Sequence, residues 1–313
     1  MMRYSRLHTY LLFLLILFLL ISNSAMAEES WIDRLQEKSQ FAGFKSEDYH
    51  KCGFPLVLEA MMSEDVSRQA IVSQHHLELM QQTYDTYLSP SGHFLIHYET
   101  SGFDAIPDYD RNENGTPDYL EFVAKSFDRA WEIEIDSLGF DPPPDQNGNP
   151  VQTYSVFCSR LNQYGITFWN SGDDLPDPGF NYPSRIEIST NYAFVPDTLY
   201  AHITNDPIVK DSLAIAVTAA HEFNHAIQLG YRIWFDNNNP NGPVSDLWFI
   251  ENSAVYMEEV VAEEVDDYYQ YLPSFFNHTD KHIAITFPEL RIFGEVVLDI
   301  MLGQLYGKTI TRE

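Results

Sequence analysis

His221-Glu222-Phe223-Asn224-His225 puts two imidazoles four residues apart, one turn apart on the same face of a helix, where both can reach one metal ion. Glu222 is offset around that helix, close enough to take a proton from a water that such an ion activates. The spacing points to zinc-dependent hydrolysis, with His221 and His225 as ligands and Glu222 as general base. Catalytic zinc takes three protein ligands and keeps a fourth position for water, so a third donor is needed. Glu251 is the candidate, 26 residues after His225 in Trp248-Phe249-Ile250-Glu251-Asn252-Ser253-Ala254-Val255-Tyr256-Met257-Glu258. Glu258, two turns further on, is a reserve ligand or a partner behind the ligands. Glu259, Glu263 and Glu264 read as a solvated face. A donor for the tetrahedral oxyanion is also required, and Tyr231, His202, Tyr256, His278 and His282 are all chemically able to serve.

These residues together resemble the gluzincins, and most closely the bacterial collagenase-type metallopeptidases: H-E-x-x-H, followed downstream by W-F-x-E-x-x-A. The resemblance implies that Glu251 is the third zinc ligand, that the substrate is a protein or peptide, and that the fold is zincin-like. Two positions depart from the pattern. Asn252 stands where the family usually has Gly after the ligand glutamate, and the thermolysin-type N-E-x-x-S-D is absent. A metzincin is excluded, because Gln228 and Tyr231 occupy the places of its Gly and third His.

A second constellation offers oxygen ligands. Asp110-Arg111-Asn112-Glu113-Asn114-Gly115-Thr116-Pro117-Asp118-Tyr119-Leu120-Glu121 has the spacing of a twelve-residue calcium loop. Asp110, Asn112, Asn114, Thr116, Asp118 and Glu121 are the candidate ligand positions, and Gly115 allows the sharp turn. A strand and loop rather than a helix precede it, so it reads as a solitary EF-hand-like loop whose calcium is structural. Asn114-Gly115-Thr116-Pro117-Asp118-Tyr119 also resembles a loop that exported bacterial metalloproteases place before their zinc helix. Asp145 to Asn149 and Asp236 to Gly242 read as plain turns.

The elements that must position these residues follow from pattern and punctuation. Asp206 as N-cap, Pro207 in the first turn and Gly230 past the end predict a zinc helix over 207–229. Ser245-Asp246 opens a glutamate helix running to about 265, and another helix covers 290–306. Residues 30–88 read as helical, and 118–138 as one helix ended by Gly139. Strands are predicted at 93–98, 151–157 and 185–189. The expected fold is α+β: a mixed β-sheet upper lobe carrying the active-site helix (89–245) and a helical lower lobe (246–313), after an N-terminal segment (28–88) that could be a pro-region. The chain stops at Glu313, soon after the last predicted helix, as a piece of a longer protein would.

Arg3 and Arg6, the unbroken apolar run Leu11 to Ile21 and Ala25-Met26-Ala27 read as a secretory signal peptide over 1–27, too short to anchor in a bilayer. Export favours a disulfide between the only two cysteines, Cys52 and Cys158. A different reading stays open. Cys52-Gly53-Phe54-Pro55 resembles the C-G-x-P heart of a cysteine switch, in which a pro-segment thiolate caps a catalytic zinc. The 46 Asp+Glu against 18 Lys+Arg, net −28, repel nucleic acid and anionic lipid, so neither is an expected partner. The expectation is a secreted zinc endopeptidase stabilised by calcium. The alternative class is an exported calcium-dependent adhesion or structural module whose zinc site is degenerate.

Overall fold

The computed structural model describes residues 31–38, 50–62, 65–169, 182–196, 198–231, 247–270, 272 and 276. The predicted signal peptide, the 236–242 turn, the 245–246 cap, His278, His282 and the 290–306 helix lie outside these residues. The chain is α+β, with one six-stranded mixed sheet and six α-helices among the described residues. The helices are α1 (Trp31–Lys38), α2 (Phe54–Met62), α3 (Val66–Gln81), α4 (Asp118–Trp131), α5 (Pro207–Gln228) and α6 (Leu247–Val261). The strands are β1 (His50–Cys52), β2 (Asp85–Leu88), β3 (Phe94–Tyr98), β4 (Tyr154–Ser159), β5 (Gln163–Trp169) and β6 (Ser184–Ser189). Their spatial order is β1-β5-β6-β4-β3-β2. β5/β6 and β2/β3 are antiparallel, and the other three pairs are parallel.

Two apolar layers cover the sheet. On one side Phe94, Ile96, Tyr154 and Val156 pack with Val123 and Phe127 of α4 and Ala219 and Phe223 of α5. On the other, Phe157, Ile166 and Phe168 pack with Trp31 of α1, Val57 of α2 and Val72 of α3. A sheet buried on both faces has strands that are apolar throughout rather than alternating. β5 is buried along its whole length, from Gln163 to Trp169, and carries only Gln163 and Thr167 as polar side chains.

The segment expected to be helical over 30–88 is not uniformly so. β1 separates its first two helices and β2 follows its third, and these strands form the two edges of the sheet, so this segment is built into the fold. α4 ends earlier than predicted, passing at Glu132 into a π-helical turn to Ser137 before Gly139 adopts a positive φ. The expected disulfide does not form, and both cysteines are free and buried. Register explains why. Cys52 is paired with Gly165, Gly165 with Ile188, and Ile188 with Cys158. Three strand spacings of about 4.8 Å separate the thiols, roughly twice what a bridge spans.

Gly165 also sets how α5 meets the sheet. A Cβ there would lie 2.7 Å from both Glu222 Cγ and Thr218 Cγ2, so the helix rests directly on the β5 backbone. Gly165→Ala is expected to cost about 1–3 kcal/mol through overpacking. Thermal unfolding followed by circular dichroism should show a midpoint lowered by several degrees.

Candidate metal centre

α5 is held at its start and buried toward its end. Asp206 accepts a hydrogen bond from Ile208 N–H (3.0 Å), and Pro207 occupies the first turn, where no N–H is needed. The exposed guanidinium of Arg111 forks onto the same Asp206 carboxylate at 2.6 and 2.9 Å, tying the 110–121 loop to the start of this helix. Two turns from its other end the helix carries His221 and His225, both buried.

The two imidazoles turn their Nε2 atoms to one point, 3.0 Å apart. Glu251 comes to that point from α6, its oxygens 3.3 Å from His225 Nε2 and 3.5 Å from His221 Nε2. Cys52, on β1, completes the cluster. One donor atom from each of Cys52, His221, His225 and Glu251 lies within 4.8 Å of the others, and all four residues are buried. Cys52 reaches the α5 side because it is in register with Gly165, the residue on which α5 rests.

Each imidazole is held from behind through Nδ1. Glu258 Oε1 accepts from His221 at 2.7 Å, and Gln228 Oε1 accepts from His225 at 2.7 Å. These bonds leave Nε2 as the free nitrogen aimed at the centre. Glu258 is in turn bound by the buried ammonium of Lys51, which also binds Asp267. The Gln228 amide nitrogen lies 2.8 Å from Asn224 Oδ1 and 3.0 Å from the Ile250 carbonyl oxygen, and Asn224 donates to Glu134 at 2.9 Å. The Phe54 ring stacks on His225 at 4.2 Å. Glu222 is buried beside the cluster, with the Thr167 hydroxyl of β5 2.7 Å from its Oε2. Cys52 lies near enough to interact with it.

The donor set fits a divalent transition-metal ion. Among the described residues the buried Glu251 oxygens face nothing nearer than the two long contacts to Nε2, at 3.3 and 3.5 Å. Glu222, Glu251, Glu258 and Asp267 are all buried, and among the described residues Lys51 pairs with only two of them, Glu258 and Asp267. An interior so short of positive charge is stabilised by a cation. Soft thiolate, two imidazoles and a carboxylate suit zinc better than calcium or magnesium. Without metal, protons take its place. Burial acts against charging His221, but the bonds and charges of Glu251 and Glu258 outweigh it and lift the imidazole to about 10. Burial likewise opposes the Glu251 carboxylate, and His225 and His221 overcome it, holding Glu251 at about 2. Burial, with the Glu222 and Glu251 charges, pushes the Cys52 thiol well above its ordinary value.

The other predicted residues fall into place unevenly. Tyr231 is not turned to the metal donors: its hydroxyl accepts from the Asp141 N–H (2.9 Å) and faces the Asp141 carboxylate at 3.3 Å. His202 is exposed and Tyr256 is half-buried on α6. Glu263 and Glu264 are exposed as expected, whereas Glu259 is buried, its carboxyl pushed up to about 8 by burial and then by Glu258 and Asp266. Glu258 lies outside the four-donor cluster and bonds His221 Nδ1 from behind. Lys51, Thr167 and Gln228 were not anticipated. Gln228 does follow His225 by three residues, the helical neighbour spacing that could have revealed it.

In the 110–121 loop, Gly115 has φ +87° and Asp110 accepts from Gly115 N–H at 2.8 Å. Both Glu121 oxygens turn inward, each 2.8 Å from an amide nitrogen, of Asn112 and Asn114. Rotating those amides would present oxygens to a cation instead. Asp118 accepts from the Arg111 N–H at 3.1 Å, and Thr116 donates its backbone N–H to Asn114 Oδ1 at 2.8 Å. Asp110, Asn112, Asn114 and Glu121 are thus brought together, while Asp118 and Thr116 serve the turn. The 145–149 segment is a plain turn around Asp145.

Compared with known proteins, the chain matches no family model and no curated protein.

A divalent transition-metal ion bound here near pH 7 would have to displace the protons on Cys52 and His221, so binding is expected to release about two protons per ion. Isothermal titration calorimetry in buffers of different ionisation enthalpy measures that number. His221 is raised above its ordinary 6.5, so its pairing stabilises the metal-free fold fully below about pH 6.5 and is lost as pH rises toward 10. Metal affinity follows the opposite course, strengthening as pH rises.

Proposed function

We propose that this protein is an exported zinc endopeptidase whose third protein ligand is Glu251 and whose general base is Glu222. The observation that carries this reading is the convergence of His221, His225 and Glu251 on one buried point, with Cys52 at the fourth donor position and Glu222 buried next to His221 on the same helix. Whatever occupies that position meets a buried carboxylate fixed by Thr167. A water there is within reach of a base, as hydrolysis requires.

Zinc, when bound, supplies a Lewis acid that polarises a carbonyl and brings a water's pKa toward neutrality. His221, His225 and Glu251 would hold it, with Glu258 and Gln228 fixing the two rings. Glu222 takes the proton of the attacking water and later passes it to the leaving amine. Thr167 keeps that carboxylate from rotating away. The closeness of α5 to β5 at Gly165 seats the Glu222 side chain directly on the strand backbone.

The zincin-like arrangement belongs to the same proposal, with the sheet and α5 as upper lobe and α6 opening the lower one. The gluzincin resemblance of residues 207–260 supports it, as does the residue order of the 1–27 leader for export. A second reading is favoured by closure of the site. Four buried protein donors are the usual mark of a structural zinc, which would make the protein an exported structural or adhesion module. Both readings take protein as the partner, and neither takes nucleic acid.

The two separate in one assay. Removing the fourth donor with Cys52→Ser and adding Glu222→Gln to that chain is expected to slow casein or gelatin cleavage by about 10²–10⁴-fold with zinc content unchanged. Zinc bound equally in both chains, with no cleavage that depends on Glu222, contradicts the peptidase reading.

We also propose that the 110–121 loop binds calcium as a structural ion. Through Arg111 and Asp206 it would steady the start of the zinc helix. Calcium at 100 times its dissociation constant should add about 2.7 kcal/mol of stability, and Glu121→Gln should remove that gain in thermal melts.

A further inference from the structure

One short stretch of chain, residues 51–54, meets the centre at three points. Lys51 binds Glu258, the carboxylate that holds His221. Cys52 puts its sulfur among the other donors, and Phe54 stacks on His225 with an interplanar angle of 14°. The Phe54 N–H donates to Cys52 Sγ at 3.3 Å, a bond suited to a thiolate. Gly53 lets the stretch lie flat on β5: a Cβ there would stand 2.5 Å from Ile166 Cγ1. Its own N–H donates to the Gly165 carbonyl at 3.0 Å.

Sulfur at this place has a definite consequence. Zinc with two histidines, a carboxylate and a cysteine is four-coordinate and complete, with no position for water or substrate. Resting on the hydrolase reading above, we propose that Cys52 is the fourth ligand of the metal and that Lys51–Phe54 is a strap holding the site in a latent form. When the metal is taken up, the thiol proton passes to solvent and an S–metal bond forms. On opening, that bond breaks, the sulfur regains a proton from water, and the position is freed.

The strap does not fall away by itself. β1 is only three residues long and lies at the sheet edge, but its departure would strip Glu258 and Asp267 of their ammonium partner inside the protein. Opening therefore calls for cleavage of the segment or competition for the sulfur.

Zinc K-edge X-ray absorption on the full wild-type chain tests the ligand without any variant. The expected shell has one sulfur at about 2.3 Å and lighter donors at about 2.0–2.2 Å. Cys52→Ser should remove the sulfur and weaken zinc binding by more than the roughly 10–100-fold cost of losing an outer partner. Cys158→Ser should leave the shell unchanged. A wild-type shell without sulfur overturns the proposal, as does sulfur that persists in Cys52→Ser. Sulfur present in the wild type, with no Glu222-dependent cleavage after Cys52→Ser, upholds the ligand and removes only the hydrolase reading. Equal cleavage by wild type and Cys52→Ser overturns the strap while sparing the hydrolase.

Discussion

Glu251 is a buried carboxylate whose neighbours are two imidazole nitrogens and a thiol. A low-dielectric interior does not tolerate such an anion without positive charge close by. The elements around it are arranged to supply or frame that charge. α5 brings two nitrogens, α6 brings the carboxylate itself, and β1 brings sulfur and the ammonium of Lys51. In the metal-free chain a proton on His221 fills the role, and a divalent ion would fill it at the point these donors share.

The sheet makes the convergence possible. β5 is the strand on which α5 rests, and it is also the partner of β1, so one row of backbone aligns Cys52, Gly165 and α5. Behind the ligands two buried chains of contacts run in different directions. One passes from His221 through Glu258 to Lys51 and Asp267, the other from His225 through Gln228 and Asn224 to Glu134. Buried polar groups are thereby spread over α4's π-helical extension, α6 and β1. The acids that look like a solvated coat in the composition are in part this interior: Glu134, Glu222, Glu251, Glu258, Glu259 and Asp267 are all buried.

What could be read in the sequence was whatever depends on local spacing. The four-residue step from His221 to His225, the Asp206-Pro207 start of α5 and strands β3, β4 and β6 follow from helix and strand periods or from capping chemistry. Glu251 was reachable because its helix carries a recognisable pattern. β5 was missed because a strand buried on both faces shows no alternation, and β1 because three residues carry no period at all. Lys51 escaped for a different reason. Its partners lie 207 and 216 residues away, and no local rule links positions so distant. The disulfide expectation failed on the same ground: two cysteines in a chain suggest a bond, but strand order keeps these two three strands apart.

Metal content of the purified full-length chain, measured by elemental analysis after zinc loading and dialysis, bears most directly on this account. One zinc per chain in the wild type, lost when His221 and His225 are both replaced by Ala, is the predicted result. A folded wild-type chain that retains no zinc or other transition metal would contradict it.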